Sequence, residues 1–228
     1  MGKRIGRGPA ERITYPESDG KPMAETDIHR DVMLDLIERL KARYAGRDDV
    51  YVSGNLLVYF AEGNPKKCLA PDCFVAFGVP AGRRRTFQTW AEGTFPSVVF
   101  EVTSRKTKAE DTGKKFRLYR DVWKVRELFY FDPTCDYLDP PLIGYRQTRG
   151  TLKSIRPTLG RLTSTELGIT LEADETRLVL RDEGSGDDLT LPAEAELIRE
   201  RTVREAAEAR LAAVEARLAE IERRLGGN

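Results

Sequence analysis

Two hydrophobic rhythms alternate along the first 131 residues. Over residues 24–44 apolar side chains return at Ile28, Val32, Leu36, Leu40 and Tyr44, with Met33 and Ile37 widening the stripe. That period predicts an amphipathic helix. Two polar residues, Glu25 and His29, fall on the same side as the stripe. Residues 50–60, VYVSGNLLVYF, predict a strand, or a hairpin bent near Gly54-Asn55. APDCFVAFGVP predicts a short strand over 72–77, stopped by Gly78 and Pro80. After the loop AGRRRTFQTWAEGTFP come a strand over 97–103, a helix over 111–123, and the strand VRELFYFDP ended by Asp132-Pro133.

From residue 142 to 192 the pattern changes to short β segments such as LIGYRQ, LVLRD and DLTLP, separated by turn residues. These read as hairpins extending one dominant sheet. The tail is different again. Leu211, Val214, Leu218, Ile221 and Leu225 alternate by three and four residues, the a/d spacing of a coiled coil. Upstream the same register meets Ala207, Arg204, Glu200 and Leu197, so the apolar seam holds for about three heptads. Two readings follow, a self-associating helix or a solvated amphipathic helix folded back on its own domain. The expected organisation is an N-terminal arm (1–22), a domain (23–192) and a C-terminal coiled-coil helix (193–228). The mixture of helices and antiparallel strands predicts a mixed α/β layer architecture around one sheet.

Composition narrows this little. The 228 residues carry a net charge of +1, with 40% hydrophobic and 33% charged residues. Polyanion binding must therefore come from a local patch. Three scattered cysteines without a CxxC pair predict an intracellular, cytoplasmic setting and argue against zinc. The expectation includes no membrane association, because no apolar run nears the roughly 18 residues of a span. The N-terminus lacks the apolar segment of a signal peptide and reads as a flexible arm.

The chemistry begins at PSVVFEVTSRKTKAEDTGKKFRLY, residues 96–119. Side chains alternate along a strand, so Glu101 shares a face with Val99 and Thr103 while Phe100 and Val102 point the other way. A carboxylate flanked by apolar residues is costly unless it is paired or binds a metal. Asp72 places a second carboxylate at the start of a neighbouring strand. On the following helix, at about 100° per residue, Leu118, Val122, Tyr119, Trp123 and Phe116 define an apolar arc. Lys115 falls near its middle, and Asp111 lies one turn earlier on the same side. Two carboxylates and an inward lysine fit metal-assisted phosphodiester hydrolysis, with Mg²⁺ (or Mn²⁺) as a hard, oxygen-seeking cation. A buried Glu101–Lys115 ion pair that only docks the helix is the bland alternative.

PDCFVAF, PSVVFEVTS, DTGKKFRLY and ELFYFDP together resemble the PD-(D/E)XK nuclease superfamily, and more narrowly its Uma-two branch of restriction-endonuclease-like proteins. YPESDGKPMAETDIHRDVML is similar to that branch's N-terminal signature. The resemblance spans residues 15–192. It implies a restriction-endonuclease-like mixed sheet core flanked by helices, with β-hairpin extensions and the C-terminal coiled-coil helix added. It also implies that Asp72 and Glu101 are metal carboxylates, that the Val102 carbonyl is a further ligand, and that Glu25 is an accompanying acidic residue. The superfamily's lysine is expected where this chain has Thr103; Lys115, with Tyr119, matches a helix pattern that substitutes for it. A second departure is Lys124, where relatives tend to carry glycine.

Supporting residues are then Thr103, Asp111, Tyr119 and His29, the histidine more readily a hydrogen-bonded structural residue than a general base. Arg83, Arg84 and Arg85 beside Phe87 and Trp90 could clamp phosphates, or form a plain solvated loop with Trp90 in the core. Lys106 and Lys108 are further phosphate contacts. The expected protein is a DNA endonuclease acting as a homodimer. The competing expectation is a non-catalytic nucleic-acid-binding or adaptor module that keeps the fold and associates through its tail.

Overall fold

The computed structural model describes residues 13–18, 20 and 26–225. Glu25 and residues 1–12 of the predicted arm lie outside the described residues. Thr26 caps the first helix, α1 (Asp27–Arg43), accepting a hydrogen bond from the His29 amide at 3.2 Å. This satisfies one of the amides that a helix start leaves without a partner. Val32, Met33, Leu36, Ile37 and Leu40 are buried as the periodicity predicts. Ile28, in the first turn, is exposed.

In chain order the strands are β1 (Val50–Ser53), β2 (Val58–Tyr59), β3 (Cys68–Leu69), β4 (Cys73–Phe77), β5 (Phe87–Gln88) and β6 (Val98–Val102). A single helical turn, α2 (Thr89–Glu92), sits between the last two. β7 (Glu127–Phe131), β8 (Leu142–Thr148) and β9 (Thr151–Ser154) complete the central sheet, whose order is β1-β4-β6-β7-β8-β9. β6 and β7 run parallel; the other neighbours are antiparallel. Parallel neighbours need a crossover, and the helix between β6 and β7 supplies it. Covered on both faces, β6 and β7 are buried at every position.

Residues 50–60 are not a hairpin. β1 joins the central sheet, while β2 pairs with β3 and β5 in a small separate sheet. Gly54 is the reason for the break. A Cβ there would lie 1.9 Å from the Asp72 carbonyl oxygen and 2.5 Å from Ile37 Cδ1. Just beyond it the Asn55 amide donates to Pro71 O at 2.8 Å. The end of β1 is thus pinned against the start of β4.

A second correction concerns the hairpins after residue 142. β8 and β9 do extend the central sheet, but β10 (Leu162–Ser164), β11 (Ile169–Asp174) and β12 (Arg177–Asp182) form their own antiparallel sheet. Leu162, Ile169, Leu171, Leu178 and Leu180 pack into one core with α1 and the face of the central sheet that carries Phe100 and Val102. The opposite face, with Val99, Leu128 and Tyr130, packs against Tyr119 and Trp123 of the crossover helix.

That crossover is wound mostly as π-helix, over Glu110–Lys115 and Leu118–Trp123. Bonding i to i+5 takes more residues per turn than an α-helix. Every fourth residue therefore stays close to one line, and Asp111, Lys115, Tyr119 and Trp123 share the inward face. Val122, placed on the apolar arc by α-helical spacing, is instead exposed. Lys124 ends the helix at φ 51°, the left-handed region that glycine adopts at least cost.

Residues 13–18 also differ from a flexible arm. The Tyr15 ring lies 5.1 Å from the rings of Tyr59 and Trp90, and Tyr59 donates to Pro16 O at 2.5 Å. The chain divides into two compact units, Met1–Leu189 and Thr190–Asn228. The second is built on α3 (Pro192–Leu225), 34 residues long. Among the described residues no helix is long and apolar enough to cross a membrane.

Candidate active site

Asp72 precedes β4, and its carboxylate caps the end of β6. The Val102 amide donates to Asp72 Oδ2 at 2.8 Å, while the next amide, Thr103, turns the other way to Phe131 O at 2.7 Å. Paired residues in an antiparallel ladder exchange both backbone groups across one edge. The Val102 carbonyl accordingly leaves its strand on the side of Asp72. His29, one turn into α1, presents Nε2 to Asp72 Oδ1 at 3.3 Å.

Glu101 is 1% exposed and points from β6 toward the crossover helix. Lys115 Nζ reaches its Oε2 at 2.9 Å, and the Tyr119 hydroxyl donates to its Oε1. The same ammonium lies 3.0 Å from Asp111 Oδ1. Asp111 is held in turn: the Thr103 hydroxyl donates to its Oδ2 at 2.7 Å, and the Tyr130 hydroxyl donates to its backbone carbonyl at 2.8 Å. Thr103 thus stands where a lysine was expected and holds Asp111, the second partner of Lys115. Its hydroxyl also lies 2.6 Å from that of Tyr137, whose ring Lys108 Nζ overlies at 5.0 Å.

Two carboxylates, Glu101 and Asp111, contact one ammonium, and a third, Asp72, lies near enough to act electrostatically on both Glu101 and Lys115. Burial pushes the Glu101 carboxyl up to about 8; Lys115 opposes the shift, and Asp72 and Asp111 reinforce it. Burial disfavours the Lys115 ammonium, but attraction by Glu101, Asp111 and Asp72 outweighs it and raises its pKa. Burial, then Glu101, raises Tyr119 as well, so its phenol stays neutral. The cluster opens to a cleft of about 440 Å³ lined by His29, Asp72, Thr103, Lys106, Asp111 and Lys115 among others.

The Uma2 family, described as "Putative restriction endonuclease", matches residues 4–175 of this sequence. The chain belongs to that family. Among solved structures, the crystal structure of a putative nuclease belonging to DUF820 from Anabaena variabilis ATCC 29413 is similar at 13% identity and a TM-score of 0.46. The similarity covers 66% of this chain and 81% of that one. No curated protein matches it.

Within this Uma2 domain the predicted residues separate into two groups. Asp72, Glu101, Val102, Thr103, Lys106, Lys108, Asp111, Lys115, Tyr119 and His29 gather at one end of β4 and β6. Arg83, Arg84 and Arg85 follow the opposite end of β4. Arg84 binds Glu92 at 2.6 Å and stacks 4.0 Å over Tyr51, and Arg85 pairs with Glu17 at 2.5 Å. Trp90 is half-buried against Tyr15.

The sequence reading has Gly54 only as a bend in the strand and missed its close approach to the Asp72 backbone. It also missed a groove of about 570 Å³ that shares Lys115 with the cleft and carries the exposed Lys66, Lys67, Lys114 and Arg117. The paired lysines of the EGNPKK turn were its only local signal.

Among the described residues no group of three or more His, Cys, Asp or Glu is placed to hold a metal ion. The donor chemistry nevertheless fits a hard cation. Asp72 and Asp111 line the cleft together with Lys115, which bonds Glu101, so the groups at hand are carboxylate oxygens of the kind Mg²⁺ takes, and Mg²⁺ keeps several waters when protein ligands are few.

Proposed function

We propose that this Uma2 protein is a divalent-metal-dependent endonuclease that hydrolyses phosphodiester bonds in DNA. The observation that carries the reading is that the Lys115 ammonium, 2.9 Å from Glu101, lines the same cleft as Asp72. Asp72, Glu101 and the Val102 carbonyl would hold Mg²⁺ or Mn²⁺, with Glu25 as an accompanying acid. When bound, the cation neutralises the scissile phosphate and acidifies water.

Lys115 stays protonated at neutral pH, so its role is to orient the attacking water and stabilise negative charge as the phosphorus–oxygen bond breaks. Asp111, through Thr103, fixes where that ammonium sits. Tyr119 keeps Glu101 aimed, and His29 orients Asp72. Phosphates flanking the scissile bond meet Lys106 and Lys108 on one side and Lys66, Lys67, Lys114 and Arg117 on the other. The expected setting is cytoplasmic, and self-association through α3 would bring more than one site together so that both strands can be addressed.

A second reading, a non-catalytic nucleic-acid-binding module, is favoured by one observation: both Glu101 oxygens already have partners, Lys115 and Tyr119. Purified protein incubated with supercoiled, linear and single-stranded DNA, and with RNA, in Mg²⁺ or Mn²⁺ separates the two. Cleavage lost in both Glu101→Ala and Lys115→Ala supports the enzyme. Cleavage that survives both sinks it, and binding without cleavage of any substrate favours the module.

A further inference from the structure

In α3 the apolar residues at a and d between Leu197 and Ile221 are exposed, including Leu211 (60%), Val214 (56%), Leu218 (53%) and Ile221 (45%). In that register the g positions from residue 210 onward are Arg210, Arg217 and Arg224, and the e positions are Glu208, Glu215 and Glu222. Farther upstream the signs reverse together, with Glu196 at g and Arg201 at e.

These charges discriminate between orientations. In a parallel, in-register coiled coil each g residue faces the e residue of the next heptad on its neighbour. Arg210 then meets Glu215, Arg217 meets Glu222, and Glu196 meets Arg201, all attractive. In an antiparallel pairing g faces g and e faces e, which sets arginine against arginine and glutamate against glutamate. Like charges opposed at such positions act as a specificity device rather than a neutral feature.

The core layers add a second constraint. Two-stranded coils prefer a β-branched residue at a and leucine at d. Here leucine occupies a (Leu211, Leu218) and β-branched residues occupy d (Val214, Ile221), an arrangement that favours three or four strands.

We infer that α3 is a homotypic assembly surface whose partner is the same helix from other copies of this chain, arranged parallel, in register and with more than two strands. The inference stands apart from the nuclease reading, because mass and mixing, not cleavage, report on it.

The test uses the full-length protein. Light scattering should give a particle of three or four chains. A variant carrying Glu208→Arg, Glu215→Arg and Glu222→Arg, with one sign of charge along both flanks from residue 201 onward, should fall to a single chain. A swapped variant that combines those changes with Arg210→Glu, Arg217→Glu and Arg224→Glu should assemble with itself as the parent does. When the two are fluorescently labelled and mixed, parent and swapped chains should not co-assemble, because parallel pairing would oppose like charges. Co-assembly of the two overturns the parallel arrangement, and a two-chain parent particle overturns the strand number. A monomeric parent, or a single-sign variant that stays assembled, overturns the surface itself.

Discussion

Two glutamates are buried in adjacent strands of the central sheet, and their surroundings differ. Glu127, at the start of β7, is enclosed by donors. Arg146 Nε reaches it at 2.7 Å, the Thr165 amide and hydroxyl each at 3.1 Å, and the Ser164 hydroxyl donates to its other oxygen. These bonds tie the central sheet to the β10–β12 sheet. Glu101 has two donors, Lys115 and Tyr119, and shares its lysine with a second carboxylate while a third lies nearby. A buried carboxylate is thus not itself a signature of function. What distinguishes Glu101 among the described residues is that carboxylates outnumber the ammonium beside it, next to a cleft lined by Asp72, Asp111 and Lys115.

The sharpest way to break this contrast is to remove each carboxylate in turn. Glu101→Ala should lower cleavage about 10³-fold, on the order of 4 kcal/mol in the transition state. Its thermal midpoint above pH 8, where Glu101 is ionised, should hold or rise, since clustered carboxylates repel one another without metal. Glu127→Ala should do the reverse. Leaving Arg146, Ser164 and Thr165 without their acceptor costs about 3 kcal/mol, a fall of roughly 6–12 °C for a chain of this size, while cleavage per folded molecule is kept. Thermal melts and cleavage assays on both variants decide it. If Glu101→Ala melts as low as Glu127→Ala, both glutamates are structural.

The difference between these two residues was partly legible in the sequence. Alternation along β6 placed Glu101 on the helix side, and helical spacing brought Lys115 and Asp111 to it, because both are local properties. Glu127 was invisible, since its partners lie 19 to 38 residues away on strands whose pairing alternation cannot specify. For the same reason the β10–β12 sheet was read as an extension of the central one. Alternation says which side of a strand is buried but not what buries it. Val122 failed for another cause, the π winding, which shifts the helical face. Arg84, which the sequence leaves as a phosphate clamp or part of a solvated loop, is instead paired, because its partner Glu92 sits beyond the strand and turn that bring it back.

Gly54 tests how precisely the Asp72 end of β4 must be placed. Its missing Cβ lets β1 touch the Asp72 backbone, and a methyl group at 1.9 Å from that carbonyl cannot be accommodated without moving one chain. Gly54→Ala should cost about 2–3 kcal/mol of stability, as overpacking does, and should lower cleavage more than Glu127→Ala, because the displaced residue is Asp72. Equal loss of stability in the two variants with equal cleavage per folded molecule would mean that Asp72 tolerates displacement, and that its contact with Val102 serves folding alone.

The smallest effect is on pH dependence, and it reads the surplus charge directly. In the metal-free protein the Glu101 carboxyl is pushed up to about 8 from an ordinary value of 4.5. Between those values the folded state holds a proton that the unfolded state has released, so stability falls as pH rises. One proton corresponds to at most about 1.4 kcal/mol per pH unit, or about 2 kcal/mol between pH 6 and 7.5. Chemical denaturation in chelator at several pH values should show this decline in the parent. Glu101→Gln, neutral at every pH, should flatten the curve and exceed the parent in stability at the alkaline end. A decline that survives in Glu101→Gln would place the titrating group elsewhere, and would remove the electrostatic reason for a cation at this end of the sheet.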